Sequence, residues 1–177
     1  MDWRVKYDVE FKGLKEGLHK FEFEIQNKFF EHFEQELVSV GNVKVRVTLE
    51  KRSLFMKLHL ALKGWVELTC DRCLENFNQN IKLKTELFVK FGENNYDDNE
   101  IIWISPEEHR INLAQLIYEY IILSIPIRHV HQEKNGVSEC SPEMLEILKE
   151  LATTEEEEEK EQKTDPRWSA LKDWNNN

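Results

Sequence analysis

Hydrophobic residues alternate with polar ones at period two through the middle of the chain, and this pattern restricts the fold more than anything else in the sequence. Val43, Val45, Val47 and Leu49 fall on one side of an extended segment, with Lys44 and Arg46 on the other. Leu54, Met56, Leu58, Leu60 and Leu62 repeat the pattern, opposite Lys57, His59 and Lys63. Ile81, Leu83 and Leu87 do so again, opposite Lys82, Lys84 and Glu86. A period of two is that of a strand whose two faces meet different surroundings. These stretches predict an antiparallel sheet, open or partly closed like a barrel, that buries an aliphatic side and shows water a basic one.

The rest of the chain supplies elements to cover such a sheet. Val5 to Phe11 and Gly17 to Ile25 read as two further strands, and Ile101 to Ile104 as a last one, after a polar loop at 94–100. Phe29, Phe30 and Phe33 recur at helical spacing, which predicts a short helix over Asn27 to Glu34. The clearest helix opens at Asn112, where Gln115 three residues on resembles a capping box, and stops before Pro126. Leu113, Leu116, Ile117, Tyr120, Ile121 and Leu123 make it apolar nearly all round, so burial is expected, with Glu119 needing a partner or an exposed edge. Ser141 and Pro142 start another helix, expected to run to about Leu151. The expected fold is α+β, with a single domain over 1–151, an acidic flexible linker over 152–164 and a short docking helix over 165–177.

Charge is unevenly placed. Lys plus Arg number 24 and Asp plus Glu 34, a net charge of −10 that by itself argues against nucleic acid as a partner. Yet residues 42–92 hold ten basic and five acidic side chains, while the tail from 151 holds eight acidic and four basic, including the run Glu155 to Glu159. The acidic protein contains a basic middle. Lys44, Arg46, Lys57, Lys63, Lys82 and Lys84 on the exposed sheet face, with Arg72 beyond it, are candidate phosphate contacts. Solubilising lysines on an open sheet face are the plainer alternative. Trp65 and Phe77 could stack bases, although core packing is the commoner role of such residues.

Cys70-Asp71-Arg72-Cys73 offers two thiolates from one tight turn, and Cys140 is a third. His131 or His129 would complete a tetrahedral zinc set, helped by a turn at Gly136. A set of Cys70, Cys73, His131 and Cys140 would be structural, because four protein ligands leave no position for water. A thioredoxin-type pair would sit between a strand and a helix of a βαβ unit, which is not the pattern here. No nucleophile–base pair, Walker motif or dinucleotide fingerprint is present, so an enzyme is not expected. The longest apolar stretch, near Leu116 to Ile127, is too short for a membrane span, and the start Met1-Asp2-Trp3-Arg4 lacks a signal-peptide core. A soluble cytoplasmic protein is expected.

In the tail, Asp165 caps, Pro166 suits a first helical position, and Trp168, Leu171 and Trp174 make one apolar stripe. With Arg167, these residues read as a partner-docking helix, or one that docks back on its own domain.

Taken in order, these motifs resemble the YceD family of large ribosomal RNA subunit accumulation proteins. The likeness rests on Cys70-Asp71-Arg72-Cys73-Leu74, the helix Ile111 to Pro126, His131 with Cys140, and Asp165-Pro166-Arg167-Trp168 with Leu171. It departs where the family commonly carries several cysteines and this chain has His131 and Cys140. The resemblance implies a non-enzymatic role in making, processing or accumulating large-subunit (23S) ribosomal RNA. It also implies large-subunit RNA, a large-subunit ribosomal protein or an assembly factor as partner. The alternative is a zinc-stabilised protein-interaction module that never touches RNA. No small-molecule substrate or membrane contact is expected.

Overall fold

The computed structural model describes residues 2–33, 37–92, 101–134 and 137–161, of which 133–134, 137–138 and 153–161 are described as backbone only. The expected loop at 94–100, the turn at Gly136 and the tail helix with Asp165, Pro166, Arg167, Trp168, Leu171 and Trp174 lie outside the described residues. The fold is α+β, with mostly antiparallel strands in a sheet that does not close into a barrel. Two compact units emerge, one of Met1–Thr69 and Asn76–His129, the other of Cys70–Glu75 and Val130–Asn177.

The first unit is built on five strands in the order β2-β3-β4-β5-β6. They are β2 (Gly17–Ile25), β3 (Gly41–Lys51), β4 (Met56–Thr69), β5 (Asn76–Phe91) and β6 (Ile101–Ile104). The first four form an antiparallel meander, each strand paired with its sequence neighbour. β6 lies parallel to β5, with Phe88 opposite Ile101. A smaller ribbon pairs β1 (Asp8–Glu10) with β7 (Arg110–Asn112). Alternation places the aliphatic side chains as expected: Val43, Val45, Val47 and Leu49 are buried, as are Met56, Leu58, Leu60, Leu62, Ile81 and Leu87. β3 and β4 come so close at Gly64 that a Cβ there would lie 2.1 Å from the Asn42 carbonyl oxygen, so the position takes only glycine.

Two helices join this core. α1 (Asn27–Phe30) buries Phe29 and Phe30, and Phe33 just after it stacks on Tyr118 at 3.9 Å between ring centroids. α2 (Ala114–Leu123) buries Ala114, Ile117, Tyr118 and Ile121. The opposite stripe, Gln115, Glu119 and Leu123, is exposed, so α2 is one-sided rather than buried all round. Glu119 therefore sits at an exposed edge, and Gln115 Nε2 donates to its carboxylate at 2.9 Å. That bond turns Gln115 away from a capping box. The N-cap is Leu113, and Asn112 before it accepts from the Ala114 N–H through Oδ1 at 3.1 Å.

Three further expectations change. Val5 to Phe11 is not a strand throughout: Trp3–Tyr7 forms a 3-10 turn capped by Asp2, and only Asp8–Glu10 extends. Leu54 continues the alternation in sequence but is 87% exposed, because it belongs to the turn between β3 and β4. The helix from Pro142, α3 (Pro142–Glu161), does not stop near Leu151. Glutamate is a good helix former and no glycine or proline interrupts the run.

The second unit contains the six-residue turn Cys70–Glu75 between β4 and β5, the two-stranded ribbon β8 (Glu133–Lys134) and β9 (Val137–Ser138), and α3. Among the described residues, no helix is long and apolar enough to cross a membrane.

Candidate metal centre and basic sheet face

The turn after β4 is closed by its backbone. The Cys70 N–H donates to the Glu75 carbonyl at 2.9 Å and the Leu74 N–H to the Cys70 carbonyl at 2.9 Å. Leu74 takes a left-handed φ of 59° to complete the bend. This brings the Arg72 N–H within 3.4 Å of Cys70 Sγ, a donor arrangement that favours thiolate over thiol. Burial pushes the Cys70 thiol up, but hydrogen bonds from Cys73, Arg72 and His131 outweigh it and bring its pKa down to about 6. A thiolate is the form that ligates metal.

Cys140, just before α3, and His131 complete the cluster. The ligand atoms of Cys70, Cys73, His131 and Cys140 all lie within 4.8 Å of one another, so the four residues could hold a metal ion. Cys70 Sγ and Cys140 Sγ are 3.8 Å apart, and His131 Nδ1 is 3.4 Å from Cys73 Sγ and 3.6 Å from Cys140 Sγ. A tetrahedron with Zn–S near 2.3 Å and Zn–N near 2.0–2.1 Å has S···S edges of about 3.8 Å and S···N edges of about 3.6 Å. The donor set fits zinc in type, and these three spacings fit it in distance. All three cysteines are buried and free of disulfides. His131, not His129, enters the cluster.

The outer face of the sheet carries the basic residues, and strand register decides which of them meet. Lys44, Lys63 and Lys82 lie directly opposite one another across β3, β4 and β5, with Glu24 on β2 at the end of the row. The next row is Glu22, Arg46, Ala61 and Lys84. Ala61 leaves a trough of about 570 Å³ walled by these side chains. Arg46 Nε donates to Glu22 at 3.0 Å. Lys44, Lys63, Lys82 and Lys84 have no ion-pair or hydrogen-bond partner among the described residues. Like charges directly opposite in a sheet are destabilising, so this row is held together against its own repulsion.

The rows further toward the β3–β4 turn are different. Lys57 pairs with Glu86 and Arg52 with Glu50. His59 lies between the two carboxylates, Nδ1 at 3.0 Å from Glu86 and Nε2 at 3.8 Å from Glu50. The hydrogen bond from Arg52 lowers the pKa of Glu50, and that from Lys57 lowers the pKa of Glu86. Lys57 therefore leaves the set of open cations. Arg72 belongs to the second unit, in the turn Cys70–Glu75. Phe77 packs on the core, whereas Trp65 is half-buried and shares the outer face with Lys63. Sequence reasoning found the lysines but missed the pairing of Glu50, His59 and Glu86. Only the cross-strand register reveals it.

No curated protein and no solved structure matches the chain significantly. A family model described as large ribosomal RNA subunit accumulation protein YceD matches residues 58–174 of the 177. That stretch takes in the C-x-x-C turn, both remaining residues of the cluster and two of the three strands bearing the lysine row. The chain thus belongs to the YceD family, whose name ties it to accumulation of large-subunit ribosomal RNA.

Proposed function

We propose that this protein is a non-enzymatic factor in large-subunit ribosome biogenesis that contacts ribosomal RNA through its outer sheet face. One observation carries the reading: Lys44, Lys63 and Lys82 stand in register and form no ion pair among the described residues. Phosphate contacts from Lys and Arg dominate RNA affinity and make it fall with salt. Filter binding to large-subunit ribosomal RNA is expected to weaken as salt rises, and to weaken further in a Lys82→Glu, Lys84→Glu variant. Wild-type protein that fails to bind at low salt refutes the reading.

Zinc at Cys70, Cys73, His131 and Cys140 has a structural part in this proposal, fixing the second unit, since four protein ligands leave no site for substrate. Cytoplasmic location follows from the process proposed.

A second reading, a zinc-stabilised protein-interaction module, is favoured by α3. Ile147, Leu148 and Leu151 are exposed on it and recur at helical spacing, as in a helix that lies in a partner's groove. A large-subunit ribosomal protein or assembly factor is the proposed partner, and Asp165, Pro166, Arg167, Trp168, Leu171 and Trp174 would extend the contact. Sedimentation of cell extract separates the two readings. RNase treatment releases the protein from pre-ribosomal particles if RNA holds it, and leaves it bound if protein does.

A further inference from the structure

Beside the lysine row, the outer face carries a row of a different kind. Asn42, Trp65 and Asn80 lie directly opposite one another across β3, β4 and β5, one step along each strand from Lys44, Lys63 and Lys82. Trp65 is half-buried, is not part of the hydrophobic core, and has no ring or hydrogen-bond partner among the described residues. The amide side chains of Asn42 and Asn80 are likewise unbonded among the described residues. A half-buried tryptophan between two free amides leaves part of its ring open on the wet side of the sheet. The same three groups suit a nucleobase, with a face to stack on and donors and acceptors for its edges.

Neighbouring strands are about 4.8 Å apart and alternate residues along a strand about 6.7 Å apart. The two rows therefore form adjacent bands, each about 10 Å across, one cationic and one aromatic and amide. We infer that this face is a single-stranded RNA site in which Lys44, Lys63 and Lys82 hold the backbone phosphates while an unpaired base stacks on Trp65 between Asn42 and Asn80. The inference rests on the RNA reading above and sharpens it. A duplex presents phosphates to the lysines but keeps its bases stacked inside, so it satisfies only the first band. An acidic peptide has the same limitation.

The test uses full-length protein and a fluorescein-labelled mixed-sequence RNA of ten nucleotides, single-stranded or annealed to its complement, read by anisotropy. Single-stranded RNA is expected to bind more tightly than duplex. Trp65→Ala is expected to weaken single-strand binding about tenfold, in line with one lost stacked base, without changing the salt dependence. Trp65→Phe retains a ring and restores most of the affinity. Lys63→Ala has the complementary signature, lowering the log–log salt slope by about 0.7. Thermal melts matching wild type qualify each variant. Salt-dependent binding that ignores Trp65, favours duplex, or is displaced as readily by poly-glutamate overturns the base site and leaves a phosphate-only surface. Absence of binding to either form overturns the RNA reading itself.

Discussion

The two compact units illustrate two ways of holding a small structure together. The first buries a continuous apolar set from β3, β4, β5, α1 and α2, with Val43, Val47, Leu49, Met56, Leu58, Ile117 and Ile121 essentially inaccessible. The second buries Cys70, Cys73 and Cys140, while Ile147, Leu148 and Leu151 of its long helix are exposed. Hydrophobic burial suffices for the first. Among the described residues, the second buries little besides its cysteines, and a bound metal would supply free energy there. Stability in one unit is spread over many contacts, and in the other a bound metal would concentrate it at four ligand atoms.

Breaking the ligand set is expected to have the largest effect. Zinc analysis of protein purified without chelator should give one equivalent for wild type and none for Cys73→Ser. Hydrogen exchange should show lost protection in the second unit with the strands of the sheet unaffected; structural zinc contributes on the order of 10 kcal/mol. Full retention of zinc by Cys73→Ser refutes the assignment. Next in size is a core truncation. Leu60→Ala removes a buried side chain from the sheet, and urea unfolding of the first unit should lose about 2–5 kcal/mol.

The two halves of the outer face sharpen the comparison within the first unit. Removing a charge from the unpaired row should help: Lys63→Gln is expected to stabilise by about 0.2–1 kcal/mol at low salt, an effect that fades as salt rises. Removing one from the paired network should hurt slightly, and in a pH-dependent way. The pKa of Glu86 is lowered from 4.5 in the folded state, chiefly by its hydrogen bond from Lys57. Its contribution is present above the unfolded value and is lost as pH falls through the lower folded value. Glu86→Gln should therefore melt below wild type at neutral pH, and the difference should close as pH falls through the lowered folded value.

Much of this was legible from alternation. β3, β4 and β5 follow from Val43–Leu49, Met56–Leu62 and Ile81–Leu87 because a sheet with one wet face imposes period two on its residues. Leu54 misled because a turn residue can fall in phase with the strand it precedes. The parallel placement of β6 was not legible, since Ile101 to Ile104 carries no sign of which neighbour it joins or in which direction. The candidate metal ligands were readable from residue type and spacing, but the choice of His131 over His129 depended on how the chain turns after α2. The lysine row and the Trp65 row are products of register. Residues nineteen positions apart, such as Lys44 and Lys63 or Lys63 and Lys82, meet only because both hairpins turn where they do.

The C-x-x-C turn gives the cluster a history as well as a shape. Cys70 and Cys73 are set by the hairpin of β4 and β5, a local event on the chain. His131 lies 58 residues beyond Cys73, and Cys140 lies 70 beyond Cys70. During synthesis the meander can pair as it emerges, since each strand finds its partner next to it in sequence. It then displays half of a ligand set while the other half is still being translated. The candidate ligand cluster is in this sense a timer: its four members can meet only after α2 and Cys140 have been made.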